Sequence, residues 1–209
     1  MSMAQPAAPL APLTKKGSAT RKALLDSTIT LIASRGYAAT TTQAVLDHSG
    51  ISRGSLLHQF KTRDLLMVAA AEEAVERMFA GVSDKLSSLD PVEAMRRYPQ
   101  VQWAVLNDLP ARAFVELQLA SRWEQGLKTG LRHALKAVNE RIARDVHDIA
   151  ETLGLQDVDT LIVEVGALIS AMQGLAVSSS VHADEQATSA ILAALTAHYT
   201  ACLEASLSS

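Results

Sequence analysis

The chain has 209 residues, of which 48% are apolar, and it contains 10 glycines and 6 prolines. This composition is typical of a globular, helix-rich protein; it excludes a disordered chain and disfavours a β-sandwich or barrel. The single cysteine, Cys202, excludes an internal disulfide and a zinc site made of several cysteines, and it suits a reducing compartment. Residues 1–17 lack the apolar segment of a signal peptide, and no unbroken apolar run reaches the roughly 18 residues of a membrane span. We therefore expect a cytoplasmic protein.

Charge is distributed unevenly along the chain. Residues 1–66 contain eight Lys or Arg and three Asp or Glu, a net charge of +5, whereas the rest of the chain carries −8. A basic first third on an acidic body indicates that the first third meets a polyanion. The alternative is a solvated basic segment that has no partner.

The first third also predicts distinct elements. Residues 1–19 are rich in Ala, Pro and Ser and predict a flexible basic arm. From Thr20 apolar residues recur at helical spacing, and this first helix is expected to end at Gly36, which can adopt a left-handed conformation. A second, short helix is predicted to begin at Thr40, because Thr40 and Gln43 have the spacing of a capping box.

The segment that follows predicts a helix-turn-helix. Gly50 allows a tight turn, and Ser52 is a good N-cap for a third helix over residues 53–60. Leu56 and Phe60 are the apolar anchors of that helix, so its other face is free to be polar. Helices this short are unstable alone, and their packing must hold them.

The remainder of the chain reads as helical. A fourth helix is expected to be capped by Thr62 and to run to about residue 87, and Asp157 and Asp184 are predicted N-caps of the last two helices. The predicted fold class is therefore all-α. Helix breaks are predicted at Pro99, Pro110, residues 126–130 and Gly154.

A polar helix presented outward by a basic segment suits the major groove of DNA. Arg53, at the start of the third helix, can bond a guanine edge with two N–H groups. Thr41 and Thr42 lie at the N-terminus of the second helix, where free backbone N–H groups favour a phosphate. The alternative is a solvated helical hairpin.

The motifs Arg35-Gly36-Tyr37, Thr40-Thr41-Thr42, Ser49 to Phe60 and Arg63-Asp64-Leu65-Leu66 resemble the N-terminal domain of TetR-family transcriptional regulators. Each element falls at the family's spacing. The resemblance implies an all-α homodimer that binds a palindromic operator, usually as a repressor, and releases it when a small molecule binds the C-terminal domain. It divides the chain into the arm, a DNA-binding domain over residues 20–66, and a helical ligand-binding and dimerisation domain over residues 67–209.

By position, the resemblance also implies which residues touch DNA, and two positions depart from the family. Leu57 stands where many members have tyrosine; it cannot bond a phosphate, but it can touch a thymine methyl group or fill the core. Leu46 stands where alanine is common, which alters packing. The expected DNA-contacting residues are Thr41, Thr42, Gln43, Ser52, Arg53, Gly54, Ser55, His58, Gln59, Lys61 and Arg63.

The C-terminal body contains no catalytic constellation, so we expect no enzyme activity, cofactor or metal. His147 and Glu151 have i, i+4 spacing, but no third ligand is near them in sequence. Cys202 lies in an apolar stripe and is expected to be core. An incidental helix-turn-helix on a helical enzyme or small-molecule carrier is the competing interpretation.

A pocket between the helices is expected to take a small, substantially apolar effector. Core filling is the alternative role of each candidate. The candidate lining residues are Met78, Phe79, Val82, Trp103, Leu106, Phe114, Leu117, Gln118 and Trp123.

The last two helices suit a dimer interface, since two copies would form a four-helix bundle. Gly166 and Gly174 would let the backbones approach closely; an intramolecular core is the alternative. The expected interface residues are Leu161, Val165, Leu168, Ile169, Met172, Leu192, Leu195 and Tyr199.

Overall fold

The structure, a computed structural model, describes residues 15–181 and 184–208, and over these ranges it contains helices and no strand. The predicted all-α class is confirmed. The helices are α1 (Lys15–Ala39), α2 (Thr42–Ser49), α3 (Arg53–Gln59), α4 (Arg63–Leu86), α5 (Pro91–Leu106), α6 (Leu109–Ala120), α7 (Gln125–Leu153), α8 (Val158–Ser179) and α9 (Glu185–Leu207).

Side-chain caps start four of these helices where the sequence places them. Ser52, Thr62, Asp157 and Asp184 each accept a hydrogen bond from a backbone N–H in the first turn of their helix. Helix α2 differs from the prediction, because its N-cap is Thr41 and the Thr40 hydroxyl donates instead to the carbonyl of Gly36.

The start and end of α1 refine two further predictions. Residues 15–19 form the first turn of α1, so that part of the predicted arm is helical; residues 1–14 lie outside the described residues. Gly36 has a positive φ of 79° with ψ of 166°, which interrupts the helix but is not the left-handed helical conformation.

Two predicted breaks lie inside helices. Pro99 is buried within α5, and Gly126 and Gly130 belong to the first turns of α7. These glycines permit close helix packing, because a β-carbon at Gly126 or Gly130 would overlap Asp64 or Val68 of α4, respectively.

Two apolar clusters form the core, and they meet along α4. The first joins α1, α2, α3 and α4 to α6 and the start of α7, while the second joins α5 to α9. Met78 packs against both clusters. The domain boundary at residues 66 and 67 stays a prediction, since α4 runs through it and the first cluster continues into the body.

Candidate nucleic-acid interface and cavity

Helices α2 and α3 are held as a helix-turn-helix by buried anchors and a glycine turn. Val45, Leu56 and Phe60 are nearly inaccessible to solvent. Gly50 adopts a left-handed conformation with a φ of 68°, and its N–H donates to the carbonyl of Leu46 at 3.0 Å. Because the apolar side of α3 is fixed in this way, its opposite side faces solvent.

The outward face of α3 combines Arg53, Gly54, Leu57 and His58, all exposed. This set recurs at i, i+1, i+4 and i+5, so the four residues share one helical face. The side chains of Arg53 and His58 form no hydrogen bond or ion pair with any described residue. Leu57 is 49% exposed, which excludes the core role left open by the sequence.

The hydroxyl and amide groups beside this face are partly engaged in local bonds. Ser52 caps α3, and its hydroxyl lies 2.9 Å from that of Ser55. Thr41 caps α2, and the Gln43 amide donates to Asp47 at 2.7 Å. Thr42, Lys61 and Ser55 remain accessible at the edges of the face.

Two of the expected DNA-contacting residues instead join parts of the subunit. The Gln59 amide donates to the carbonyl of Gly17 at 3.1 Å. Arg63 donates from Nη1 to the Tyr37 hydroxyl at 2.5 Å and from Nη2 to the carbonyls of Tyr37 at 2.8 Å and Thr40 at 3.2 Å. Its Nε–H also donates to the Thr40 carbonyl, at 3.3 Å. Its guanidinium also lies over the Tyr37 ring. With at most one N–H left over, Arg63 serves chiefly to fix α4 against the end of α1.

The bond between Gln59 and Gly17 brings the first turn of α1 beside the end of α3. Lys15 and Lys16 are both exposed there. Sequence spacing could not place them next to α3, because 42 residues separate the two bonded groups. The sequence signal for these residues was the pair of adjacent lysines itself.

The body contains a cavity of about 510 Å³ between α4, α5, α6, α7, α8 and α9. Three of its lining residues are exposed, namely Ser83 and Ser87 at the end of α4 and Asp148 near the end of α7. Apolar side chains make up most of the wall, and a few polar groups lie among them. The wall includes four of the predicted ligand residues, namely Met78, Phe79, Val82 and Phe114.

The remaining predicted ligand residues do not line this cavity. Leu106 and Leu117 are buried in the core, Trp103 packs against the second cluster, and Gln118 lies outside the wall. Trp123 is 83% exposed on the surface, with Arg122 stacked over its ring. These residues are of the types that line pockets, but the packing of their helices places them in the core, against the second cluster or on the surface.

The cavity wall includes polar residues that the sequence did not predict as ligand contacts, and three of them are Tyr98, Tyr199 and Gln102. Tyr98 and Tyr199 have ring centroids 6.3 Å apart, and Gln102, four residues after Tyr98 in α5, also lines the cavity. Desolvation raises the pKa of both phenols, so they stay protonated. Their hydroxyls and the Gln102 amide have no hydrogen-bond partner among the described residues. A ligand can therefore satisfy them.

The predicted interface residues divide between the core and the surface. Leu161, Val165, Leu168, Met172 and Tyr199 are buried in the subunit's own second cluster, so a partner subunit cannot reach their side chains. Ile169, Leu192 and Leu195 are partly buried against the same cluster. Residues on the other side of these helices remain exposed, among them Val163, Ala167, Gly174, Ile191 and Ala194.

Helices α8 and α9 leave much apolar surface uncovered. By length and composition alone both could cross a membrane, and only 28% and 11% of their most apolar windows are buried. Two such helices are weak evidence for insertion. A β-carbon added at Gly166 or Gly174 would meet no atom within 4 Å, so their exposed side is open to another helix.

The fold and the outward-facing α3 define an all-α protein with an N-terminal helix-turn-helix. Residues 24–77 match the family described as bacterial regulatory proteins, tetR family. Over 66 residues the chain is 36% identical to the HTH-type transcriptional repressor Rv1474c of Mycobacterium tuberculosis, a match that covers 32% of this chain and 35% of that protein. The chain spans about a third of the length of the curated relatives it matches.

Two solved structures show how far the fold is shared. A TetR-family transcriptional regulator from Cytophaga hutchinsonii is similar with a TM-score of 0.69 at 12% identity, covering 91% of this chain and 98% of that chain. A protein from Saccharomonospora viridis, described as a transcriptional regulator in complex with choline, has a TM-score of 0.63 at 18% identity, covering 90% and 96%. The resemblance read from the sequence is confirmed for the N-terminal segment, since residues 24–77 match the tetR family, and the fold is shared with these structures over most of the chain.

Proposed function

We propose that this protein is a DNA-binding transcriptional regulator, acting as a repressor, that binds a palindromic operator in the cytoplasm as a homodimer. The observation that carries the proposal is the solvent-facing side of α3. Its Arg53 and His58 are unpaired with described residues, and it projects from the basic third of the chain. A major groove admits such a helix, and its phosphates attract the positive charge.

Selection of bound sequences from a random DNA pool, followed by a salt titration on the selected site, tests this function. A regulator should enrich one palindromic sequence, and its affinity should fall linearly with salt on logarithmic axes, with a slope of about −0.9 per phosphate contacted. Failure to enrich any sequence at low salt would favour the competing interpretation, an incidental helix-turn-helix.

Dimerisation is supported by the exposed apolar side of α8 and α9. One short recognition helix binds weakly, whereas two copies held about 34 Å apart meet successive major grooves. Small exposed residues such as Ala167, Gly174 and Ala194 allow the four helices of a dimer to pack closely. Light scattering after size exclusion should give twice the mass of the chain, and a monomer at micromolar concentration would contradict the proposal.

Leu57 is proposed to touch a thymine methyl group, since it is exposed beside Arg53 on the face of α3. We expect replacement of the contacted thymine by deoxyuracil to weaken wild-type binding by about 0.8 kcal/mol, or roughly fourfold, because one methyl group leaves the contact. Leu57→Ala should bind both probes equally. Leu65→Ala, which changes another half-exposed leucine outside α3, should keep the wild-type preference. Equal binding of both probes by the wild type at every thymine would contradict this contact.

The cavity is proposed to hold an effector that releases the operator. The apolar wall and the unpartnered groups of Tyr98, Tyr199 and Gln102 fit a largely apolar molecule with one hydrogen-bonding end. The related protein from Saccharomonospora viridis was solved with choline, an example of a small ligand on this fold.

A route from the cavity to the DNA-binding helices runs through α4 and α6. Met78 contacts both core clusters, and Phe114 lines the cavity while belonging to the first cluster, which includes α1 to α3. A ligand that binds more tightly when α4 is tilted would move the two recognition helices of the dimer, so that they no longer match successive major grooves. The ligand shifts the equilibrium between the two conformations only by the difference between its binding free energies for them. A full switch needs a difference of about 5.5 kcal/mol.

Filling the cavity should separate ligand binding from DNA binding. We expect Val82→Phe to weaken the fluorescence enhancement of anilinonaphthalene sulfonate expected with the wild type, because the added ring takes up part of the cavity. Without ligand, operator affinity should stay within about twofold of the wild type, since the added ring takes up free space without an effector's preference for a tilted α4, and Val82 lies outside the first cluster. The control Leu119→Phe changes an exposed residue outside the cavity. Undiminished fluorescence with Val82→Phe would place the dye elsewhere.

A further inference from the structure

Three potential metal ligands converge where α8 crosses α9. Glu164 of α8 lies beside His198 and Cys202 of α9, which share one side of that helix at i, i+4 spacing. The carboxylate oxygen Oε2 of Glu164 is 3.0 Å from Nε2 of His198, and Sγ of Cys202 is 3.8 Å from the same nitrogen. All three ligand atoms lie within 4.8 Å of one another.

The two separations from Nε2 of His198 are close to the edges of a tetrahedral metal site. With bonds of about 2.3 Å to sulfur and about 2.0–2.2 Å to nitrogen and oxygen, tetrahedral zinc places neighbouring ligand atoms about 3.3–3.6 Å apart. The observed 3.0 and 3.8 Å bracket that range, so small side-chain rotations suffice to close the site.

A hydrogen-bonded or catalytic arrangement accounts less well for the cluster. Both Glu164 and Cys202 approach Nε2 of His198, yet one ring nitrogen can engage only one of them in a strong hydrogen bond. An activated cysteine would need the carboxylate on the other ring nitrogen. Moreover, burial and the Glu164 carboxylate raise the pKa of the Cys202 thiol, which makes the metal-free thiol a poor nucleophile.

The surroundings leave these side chains available for an ion. None of the three forms another side-chain hydrogen bond or ion pair with a described residue. His198 is 68% exposed in the single subunit, and Glu164 and Cys202 are partly buried at the base of the site. Ile191, Ala194 and His198 recur at i, i+3 and i+7 on α9, so the site lies at the proposed dimer interface, and an ion reaches it freely from solvent in the separate subunit.

We propose that Glu164, His198 and Cys202 form a zinc site that joins α8 to α9, with water as the fourth ligand. The set of one thiolate, one imidazole and one carboxylate suits zinc in softness and in number. On binding, the proton of the Cys202 thiol and any proton on Nε2 of His198 are released to the solvent as sulfur and nitrogen bond the metal. The three ligands lie outside the DNA-binding helices, and a metal here differs from the expectation of no metal drawn from the sequence.

Calorimetric titration of the full, reduced chain with Zn²⁺ tests the proposal directly. We expect one ion per chain, and we expect His198→Ala and Glu164→Gln each to weaken binding by at least about tenfold, the loss that even outer partners of metal ligands cause. His147→Ala is the matched control, since His147 and Glu151 form an exposed i, i+4 pair on α7 without a third ligand. Absence of Zn²⁺ binding, or an equal loss in the control, would overturn the site.

Binding of Co²⁺ tests separately whether Cys202 is a ligand of the metal. Co²⁺ bound to the wild type should show a thiolate-to-metal charge-transfer band and the intense visible bands of tetrahedral coordination, and Cys202→Ser should remove the former. Cobalt binding without the thiolate band would also overturn the proposal. Neither measurement contains DNA, so a chain that binds its operator but no metal would contradict this inference alone.

Discussion

Replacement of Arg53 by alanine is expected to weaken binding to the cognate operator by about 1–3 kcal/mol, or roughly 5- to 150-fold. The physical reason is that Arg53 opens α3 with an exposed guanidinium that bonds no described residue, so its fork of N–H groups is free to meet the two acceptors of a guanine edge. Fluorescence anisotropy with the selected operator and with random DNA, at one fixed salt concentration, measures the effect.

The comparison with random DNA decides what Arg53 contacts. Loss on the operator alone assigns Arg53 to a base, while equal loss on both DNAs assigns it to a phosphate and contradicts the base-reading role. Arg132→Ala is the charge-matched control, because Arg132 is exposed on α7. It removes the same charge from the body and should leave both affinities nearly unchanged.

Gly130→Ala should destabilise the protein by about 1–3 kcal/mol, although alanine is normally the better helix former. A β-carbon at Gly130 would overlap Cγ2 of Val68 and lie only 3.2 Å from its Cβ. Valine is branched at Cβ, so rotation cannot clear the overlap and α7 must move away from α4. In a chain of this size the midpoint of thermal unfolding should fall by about 2–4 °C for each kcal/mol lost.

A second change tests whether this contact is the cause. Val68→Ala removes both methyl groups that meet the new β-carbon, so the double variant should lose less stability than the two single losses combined. Gly54→Ala provides the control, since a β-carbon at Gly54 meets nothing within 4 Å and the substitution should be neutral or slightly stabilising. An unchanged unfolding midpoint for Gly130→Ala would show that α7 adjusts at no cost.

Local signals were enough to predict the helix-turn-helix. A cap such as Ser52, the turn glycine Gly50 and the anchors Leu56 and Phe60 act within a few residues of one another, and the structure confirms each of them. The same reasoning misplaced the cap of α2 by one residue, because Thr40 and Thr41 are chemically equivalent and only the backbone turn after Gly36 selects between them.

Long-range placement was beyond the sequence. Gln59 and Arg63 have the types and spacing of DNA-contacting residues, but their donors meet carbonyls 42 and 23–26 residues away. Likewise, Gly126 and Gly130 resemble a helix break until α4 is seen against them. Nothing in the neighbouring sequence encodes either contact.

By itself, then, the sequence determined the all-α class, the order of the short helices and the exposed face of α3, since helical periodicity and capping depend on residues close in the chain. Only the tertiary structure decided which apolar residues surround the cavity and which fill the core, and only it brought Glu164 to His198 and Cys202. The reason is that the periodicity of a helix fixes which residues share a face, whereas the packing of several helices decides what that face meets.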